Sequence, residues 1–178
     1  MKGVIFNILE QAVIEHLGTG VWDDLLDATG LEGAYTSLGS YPDSEIMALV
    51  GAAASAQGKT PAEILRWFGT AAIPVLAAKY PVFFVGQSDA RNFLLSVNGI
   101  IHPEVRKLYS GAGCPHFRFS EQSGELIIRY NSPRKLCALA HGFIDGSAAY
   151  YREAVTVDHR SCMHDGADEC ALAVQWVS

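Results

Sequence analysis

The apolar residues of this chain change their spacing near Gly111, and that change decides which folds are open to it. Before it they recur every three to four positions. Val4, Ile5, Ile8, Leu9, Ala12, Val13 and Leu17 make one helical stripe, closed by Gly18. Thr60-Pro61-Ala62-Glu63 combines a capping hydroxyl, a proline at the first helical position and a glutamate placed to close a capping box. The helix it starts is expected to bend or stop near Pro74, which has no N–H for the ladder. Residues 88–101 carry another stripe through Phe93, Leu94, Val97, Ile100 and Ile101. Pro103 then opens a fresh turn running to Tyr109, which leaves His102 at a break or kink. Beyond Gly111 the period falls to two. Phe117 and Phe119, then Leu126, Ile128 and Tyr130, alternate around Ser123-Gly124 as a hairpin would. Residues 134–152 read as helix. Val155 and Val157, then Ala171, Ala173, Gln175 and Val177, read as two closing strands. The expected class is α+β: a helical first part, then an antiparallel sheet crossed by one long helix.

With 178 residues and no repeat or Pro/Gly/Ser linker, the chain reads as a single domain over residues 1–178. Hydrophobic residues make up 49% and charged residues 18%, a balance that leaves room for an apolar cavity. The formal net charge is −6, with no basic cluster, which argues against nucleic acid, whose binding rests on phosphate neutralisation. No apolar run approaches the roughly 20 residues that span a bilayer, and Asn7, Glu10 and Gln11 interrupt the start too early for a signal-peptide core. A cytoplasmic protein is expected. Its cysteines, Cys114, Cys137, Cys162 and Cys170, are then thiols or metal ligands more often than disulfides.

Three groups of residues could carry chemistry. His102, in an apolar stretch, is either a core histidine satisfied by a carbonyl or an iron ligand, since neutral imidazole binds iron well. In Tyr130-Asn131-Ser132-Pro133-Arg134, a strand would turn residues 130, 132 and 134 to one side. A phenol, a hydroxyl and a guanidinium fork together suit a carboxylate, though an exposed strand end would show the same triplet. Cys137, His159-x-x-Cys162 and Cys170 offer three thiolates and an imidazole, a tetrahedral zinc set, with His164 as the competing imidazole. Plain reduced thiols or a labile disulfide are the alternatives.

With a mid-chain histidine, Pro115 a dozen or so residues later and then Tyr130-x-Ser132-x-Arg134, the sequence resembles the haem nitric oxide/oxygen-binding (H-NOX) domain over nearly its whole length. The resemblance implies a b-type haem held by His102, with Tyr130, Ser132 and Arg134 on its propionates and Pro115 and Ile5 pressed against the porphyrin. It places Leu139, Phe143, Ile73 and Leu76 around the cofactor. It also divides the chain into a distal part, about 1–65, and a proximal part, about 66–178. Oxygen-binding members carry a tyrosine where this chain has Leu139, and supporting polar residues where it has Leu9 and Ala72. Nitric oxide and carbon monoxide are therefore the expected ligands, with no stable oxygen complex. The implied role is sensing, not catalysis. Nitric oxide weakens the bond to His102, and the resulting shape change reaches a separate histidine kinase or cyclic-di-GMP enzyme. Some bacterial members also hold zinc in the C-terminal part, which supports the set Cys137, His159, Cys162 and Cys170. The competing expectation is a haem-free zinc or thiol redox-sensing or small-molecule-binding module, with no use for His102.

Overall fold

The computed structural model describes residues 1–177. Its first half is a bundle of four helices, α1 (Gly3–Leu17), α2 (Thr19–Thr29), α3 (Asp43–Gln57) and α4 (Pro61–Lys79). Phe6, Val13, Leu49, Val50 and Phe68 are almost wholly buried between them. The start of α4 is built as its sequence requires. Glu63 N–H donates to the Thr60 hydroxyl at 3.2 Å, and Thr60 N–H donates back to the Glu63 carboxylate at 2.8 Å.

The helix does not end or break at Pro74 but runs on to Lys79. Proline forfeits the bond to the Thr70 carbonyl, and a second helix covers the freed group. A side-chain carbon on Gly146 of that helix would stand 2.8 Å from the Thr70 oxygen. Tertiary packing thus shields a carbonyl that the local ladder leaves open.

After two short helices, α5 (Val82–Val85) and α6 (Ala90–Ser96), one π-helical turn (Val97–Ile101) leads into α7 (His102–Leu108). The hairpin follows, with β1 (His116–Gln122) and β2 (Glu125–Asn131) joined through Ser123 at φ 52° and Gly124 at φ 83°. Two successive positive φ values give the turn whose twist matches the strands. Then come α8 (Cys137–Tyr150), β3 (Ala154–Ser161) and β4 (Cys170–Val177). The sheet order is β1-β2-β4-β3, antiparallel throughout. Leu126, Ile128, Tyr130, Cys170, Leu172 and Val174 turn one face of the central strands into a second core with Ile144 of α8.

The long helices α4 and α8 meet backbone to backbone. A Cβ on Gly69 would lie 2.4 Å from the Leu139 carbonyl, and one on Gly142 would lie 2.0 Å from that of Arg66. Thr70 donates to the Gly142 carbonyl at 3.2 Å, and Arg66 pairs with Asp145 at 2.6 Å. Because of this contact α4 belongs to both cores: Ile64, Leu65, Phe68 and Ala72 serve the first, Ile73 and Ala77 the second. The boundary near residue 65 falls inside α4. Among the described residues no helix is long and apolar enough to cross a membrane.

Candidate functional site

His102 is the first residue of α7, directly after the π-turn. Its N–H reaches back five residues to the Val97 carbonyl, so the kink expected at His102-Pro103 is a widened turn. The turn is tied to the sheet by Asn98, which accepts from Phe117 N–H at 3.1 Å and donates to the Phe117 carbonyl. The His102 ring lies 5.9 Å from that of Phe117, tilted by 28°. Its Nδ1 is buried with no hydrogen-bond partner. Burial pushes the imidazole down to about 4, assisted by the nearby Arg106 cation and opposed by the Pro115 carbonyl. At neutral pH the ring is uncharged and keeps a free lone pair, the state that a metal requires. A buried polar atom left unpaired is costly. This one has the character of a ligand awaiting an ion.

An apolar cavity of about 110 Å³ lies beside the segment that carries His102. Ile101 and Val105 line it opposite Ile5 and Ile8 of α1 and Leu76 of α4. Of the residues expected around a cofactor, Ile5 and Leu76 therefore do line a cavity. Leu139 is buried in the first core, Phe143 packs against both cores, and Ile73 is turned into the α4–α8 contact. The residue types suit a porphyrin: the walls are hydrocarbon apart from the Tyr80 and Tyr109 phenols, and the unpartnered His102 imidazole follows Ile101 of the wall. The volume lies below the roughly 300 Å³ at which ligand pockets begin, so α7 has to stand further from α1 and α4 to admit the group.

The carboxylate-binding triplet is assembled differently from the strand-face expectation. β2 ends at Asn131, and Ser132 and Arg134 lie in the turn beyond it, so the three do not share a strand face. Tyr130 Oη accepts from Leu136 N–H at 2.9 Å, and Ser132 Oγ from Arg134 N–H at 3.3 Å, which fixes the loop. Arg134 already holds a carboxylate. Its Nε donates to Asp43 at 2.6 Å and its Nη1 to the Gly113 carbonyl at 2.8 Å, while the Met1 amino group donates to the other Asp43 oxygen at 2.5 Å. Burial pushes the Asp43 carboxyl up, but these donors outweigh it and hold the group below its ordinary value. Asp43 stands 91 residues before Arg134, and no local pattern in the sequence marks it.

Cys137, His159, Cys162 and Cys170 converge, with their ligand atoms all within 4.8 Å of one another. The Cys137 and Cys162 sulfurs are 3.8 Å apart and all four cysteines of the chain are free. His159 Nε2 is buried without a partner. Burial, then the neighbouring Cys170 and Cys162, pushes the Cys137 thiol up to about 12, as expected of thiols crowded without a cation. His164, the competing imidazole, turns away to the Lys135 carbonyl at 2.8 Å. Cys114 stands apart, with its thiol raised by burial.

Two further features escaped the sequence. A larger cleft of about 390 Å³ opens between α1, α2, α3 and α4, with Leu9, Leu49 and Ile64 in its floor and Asp24 and Gln57 at its rim. Its lining is indistinguishable in sequence from close-packed helical stripes. The second is a phenol pair, Tyr80 with Tyr109, whose hydroxyls bond to each other at the wall of the smaller cavity.

Residues 2–159 match the Haem-NO-binding family. An H-NOX protein from S. oneidensis in the Fe(II)NO state superposes with a TM-score of 0.93 at 31% identity, covering 100% of both chains. The solution structure of the Shewanella oneidensis H-NOX domain in the Fe(II)CO state gives 0.89 at 31% identity, covering 100% of this chain and 99% of that one. An unliganded Fe(II) H-NOX protein from K. algicida gives 0.86 at 25%, covering 100% and 97%. The helical bundle, the π-turn before the histidine and the four-stranded sheet crossed by α8 are thus the H-NOX fold, and the chain belongs to the Haem-NO-binding family of haem-based gas sensors.

Proposed function

We propose that this protein binds a b-type haem through His102 and reports nitric oxide to a separate signalling protein. The observation that carries the reading is the uncharged His102 ring, whose Nδ1 is buried and unpartnered, next to Ile101 in the wall of an apolar cavity. The bound group supplies a ferrous iron with one position open to a diatomic ligand.

The protein's own residues do the rest. His102 is the single tether on the α7 side. Ile5 and Leu76, which line the cavity, provide the hydrocarbon contact, and Ile73, Leu139, Phe143 and Pro115 would add to it only once the cavity opens. Tyr130, Ser132 and Arg134 take the propionates, with Arg134 passing from the Asp43 carboxylate to a ligand carboxylate or sharing itself between them. Leu9, Ala72 and Leu139 are buried and offer no hydrogen-bond donor. Bound dioxygen needs such a donor, whereas nitric oxide and carbon monoxide do not, so the latter two are the ligands and no stable oxygen complex forms. The S. oneidensis relatives in the Fe(II)NO and Fe(II)CO states are in keeping with that choice.

Signalling follows from how lightly α7 is held. None of its seven residues is buried. With a haem held by His102, loss of that tether on nitric oxide binding would free this helix and the π-turn before it and so bias the surface offered to a partner. A histidine kinase or a cyclic-di-GMP enzyme is the proposed partner. Cys137, His159, Cys162 and Cys170 would hold a zinc ion, which would pin the start of α8 to β3 and β4 and give His159 its missing partner.

The test is the ferrous absorption spectrum of wild type and His102→Gly, each with and without nitric oxide and with added imidazole. A red wild type that responds to nitric oxide, and a variant whose ferrous spectrum changes and is restored by imidazole, are expected. A colourless protein that takes up no haem, or a variant with wild-type coordination, would overturn the reading.

A further inference from the structure

The helix that carries His102 is anchored at two ends. At its start, Asn98 and the His102 ring hold it to Phe117 of β1. At its end stands Tyr109, 8% exposed, whose N–H closes the last turn on the Val105 carbonyl at 2.8 Å. Tyr80 closes α4 in the same way, its N–H on Leu76 at 2.7 Å. The two phenols meet across the cavity and bond to each other. The other residues lining that cavity are hydrocarbon, and among the described residues neither hydroxyl has a second protein partner. We infer that Tyr80 and Tyr109 are positioning residues, a phenol latch that holds the free end of the His102 helix against α4 and so sets how far the cofactor cavity stands open.

Three observations support the latch. First, the phenols are partly buried, Tyr109 more than Tyr80, and among the described residues each hydroxyl is paired only by the other, so the bond favours one position of α7 against α4. Second, burial and then the partner phenol both raise the Tyr80 hydroxyl, so it stays protonated through the ordinary pH range and remains able to donate. Third, the cavity is too small for a porphyrin while the latch is closed, and beside the apolar packing of Val105 and Tyr109 against the first core this bond is the side-chain hydrogen bond that ties the end of the helix to α4. Both wall-forming aromatic rings survive a Tyr→Phe change, so the hydroxyls can be tested without emptying the core. That this position matters to gas sensing rests on the function proposed above. The latch itself does not.

The test uses the whole protein as wild type, Tyr80→Phe, Tyr109→Phe and the double variant, with Tyr35→Phe as control. Tyr35 donates a comparable bond to Glu45 at 2.9 Å, inside the helical bundle and away from α7. In cofactor-free protein, hydrogen exchange of the amides of residues 104–109 should speed up about fivefold in either latch variant, the usual worth of one hydrogen bond. The double variant should match the singles, because one bond is lost in every case. The control should leave these amides unchanged. Haem transfer from loaded protein to a scavenging apoglobin should quicken by a similar factor in the latch variants only. Unchanged exchange at 104–109, additive effects, or equal effects in Tyr35→Phe would overturn the latch. A wild type that takes up no haem would sink the proposed function, while the exchange measurement would still decide the latch.

Discussion

Replacing Gly142 with alanine should force α4 and α8 apart. The new Cβ would stand 2.0 Å from the Arg66 carbonyl oxygen and 2.9 Å from the Gly69 α-carbon. Ordinary contact begins at 3.4 Å, so the shortfall is 3.4 − 2.0, about 1.4 Å. Backbone faces the new methyl on both sides, and no flexible side chain can step aside. The helices have to slide or part, which strains the Thr70–Gly142 bond and the Arg66–Asp145 pair that span the contact. A radial gap of about 0.5–1 Å already forfeits a quarter to a half of the dispersion well for each facing pair of atoms. Overpacking of this kind costs about 3 kcal/mol, the upper end of its usual range, because rigid backbone is displaced. Alanine returns about 1 kcal/mol of helix propensity, leaving a net loss of about 2 kcal/mol. For a chain of this size the melting temperature should then fall by about 4–8 °C. Gly51→Ala is the internal control. It lies in α3 with nothing within 4 Å of the place its methyl would take, so propensity alone acts and the protein should gain up to about 1 kcal/mol. Calorimetry and urea titration of both variants beside wild type decide the matter. If Gly142→Ala melts at or above wild type, or if Gly51→Ala loses as much, the close helix contact does not govern stability as argued.

Introducing Leu139→Tyr should place a donor in the gas pocket and give the ferrous protein a measurable oxygen complex, read as a changed spectrum in air; an unchanged spectrum would contradict the pocket assignment. Purified wild type should carry about one zinc per chain by elemental analysis, and Cys170→Ser should lose it and unfold at lower urea, since a structural zinc contributes directly to folding. In cofactor-free protein, stability should be full above about pH 6.5 and decline as the pH falls towards 4, because the folded state holds His102 at about 4 while the unfolded chain takes up the proton near the ordinary value. His102→Gln should flatten that part of the urea-midpoint profile, and an unflattened profile would place the proton uptake elsewhere.

The sequence is most legible where a structure is written locally. The capping box at Thr60 needs only four consecutive residues, and the hairpin turn needs only Ser123-Gly124 between alternating strands; both form at the expected positions. Pro74 shows the limit of that kind of reading, since a neighbour 72 residues away, Gly146, decides whether the helix survives it. The metal-type cluster is visible because cysteine is scarce, and the fold chooses His159 over His164 through the loop that turns His164 to Lys135. The carboxylate site is only half visible. Tyr130, Ser132 and Arg134 stand out through the family resemblance, not through a shared strand face, whereas Asp43 reaches Arg134 only through the tertiary fold. Tyr80 and Tyr109 are silent for the same reason: two ordinary aromatic residues acquire meaning only when two helix ends meet.

The double membership of α4 constrains how this molecule can move. No flexible tether separates its halves, since one continuous rod is embedded in both. Rigid rotation about a linker is therefore unavailable. Relative movement of the two cores has to bend the shared rod itself or work against the Thr70–Gly142 bond and the Arg66–Asp145 pair that clasp it to α8.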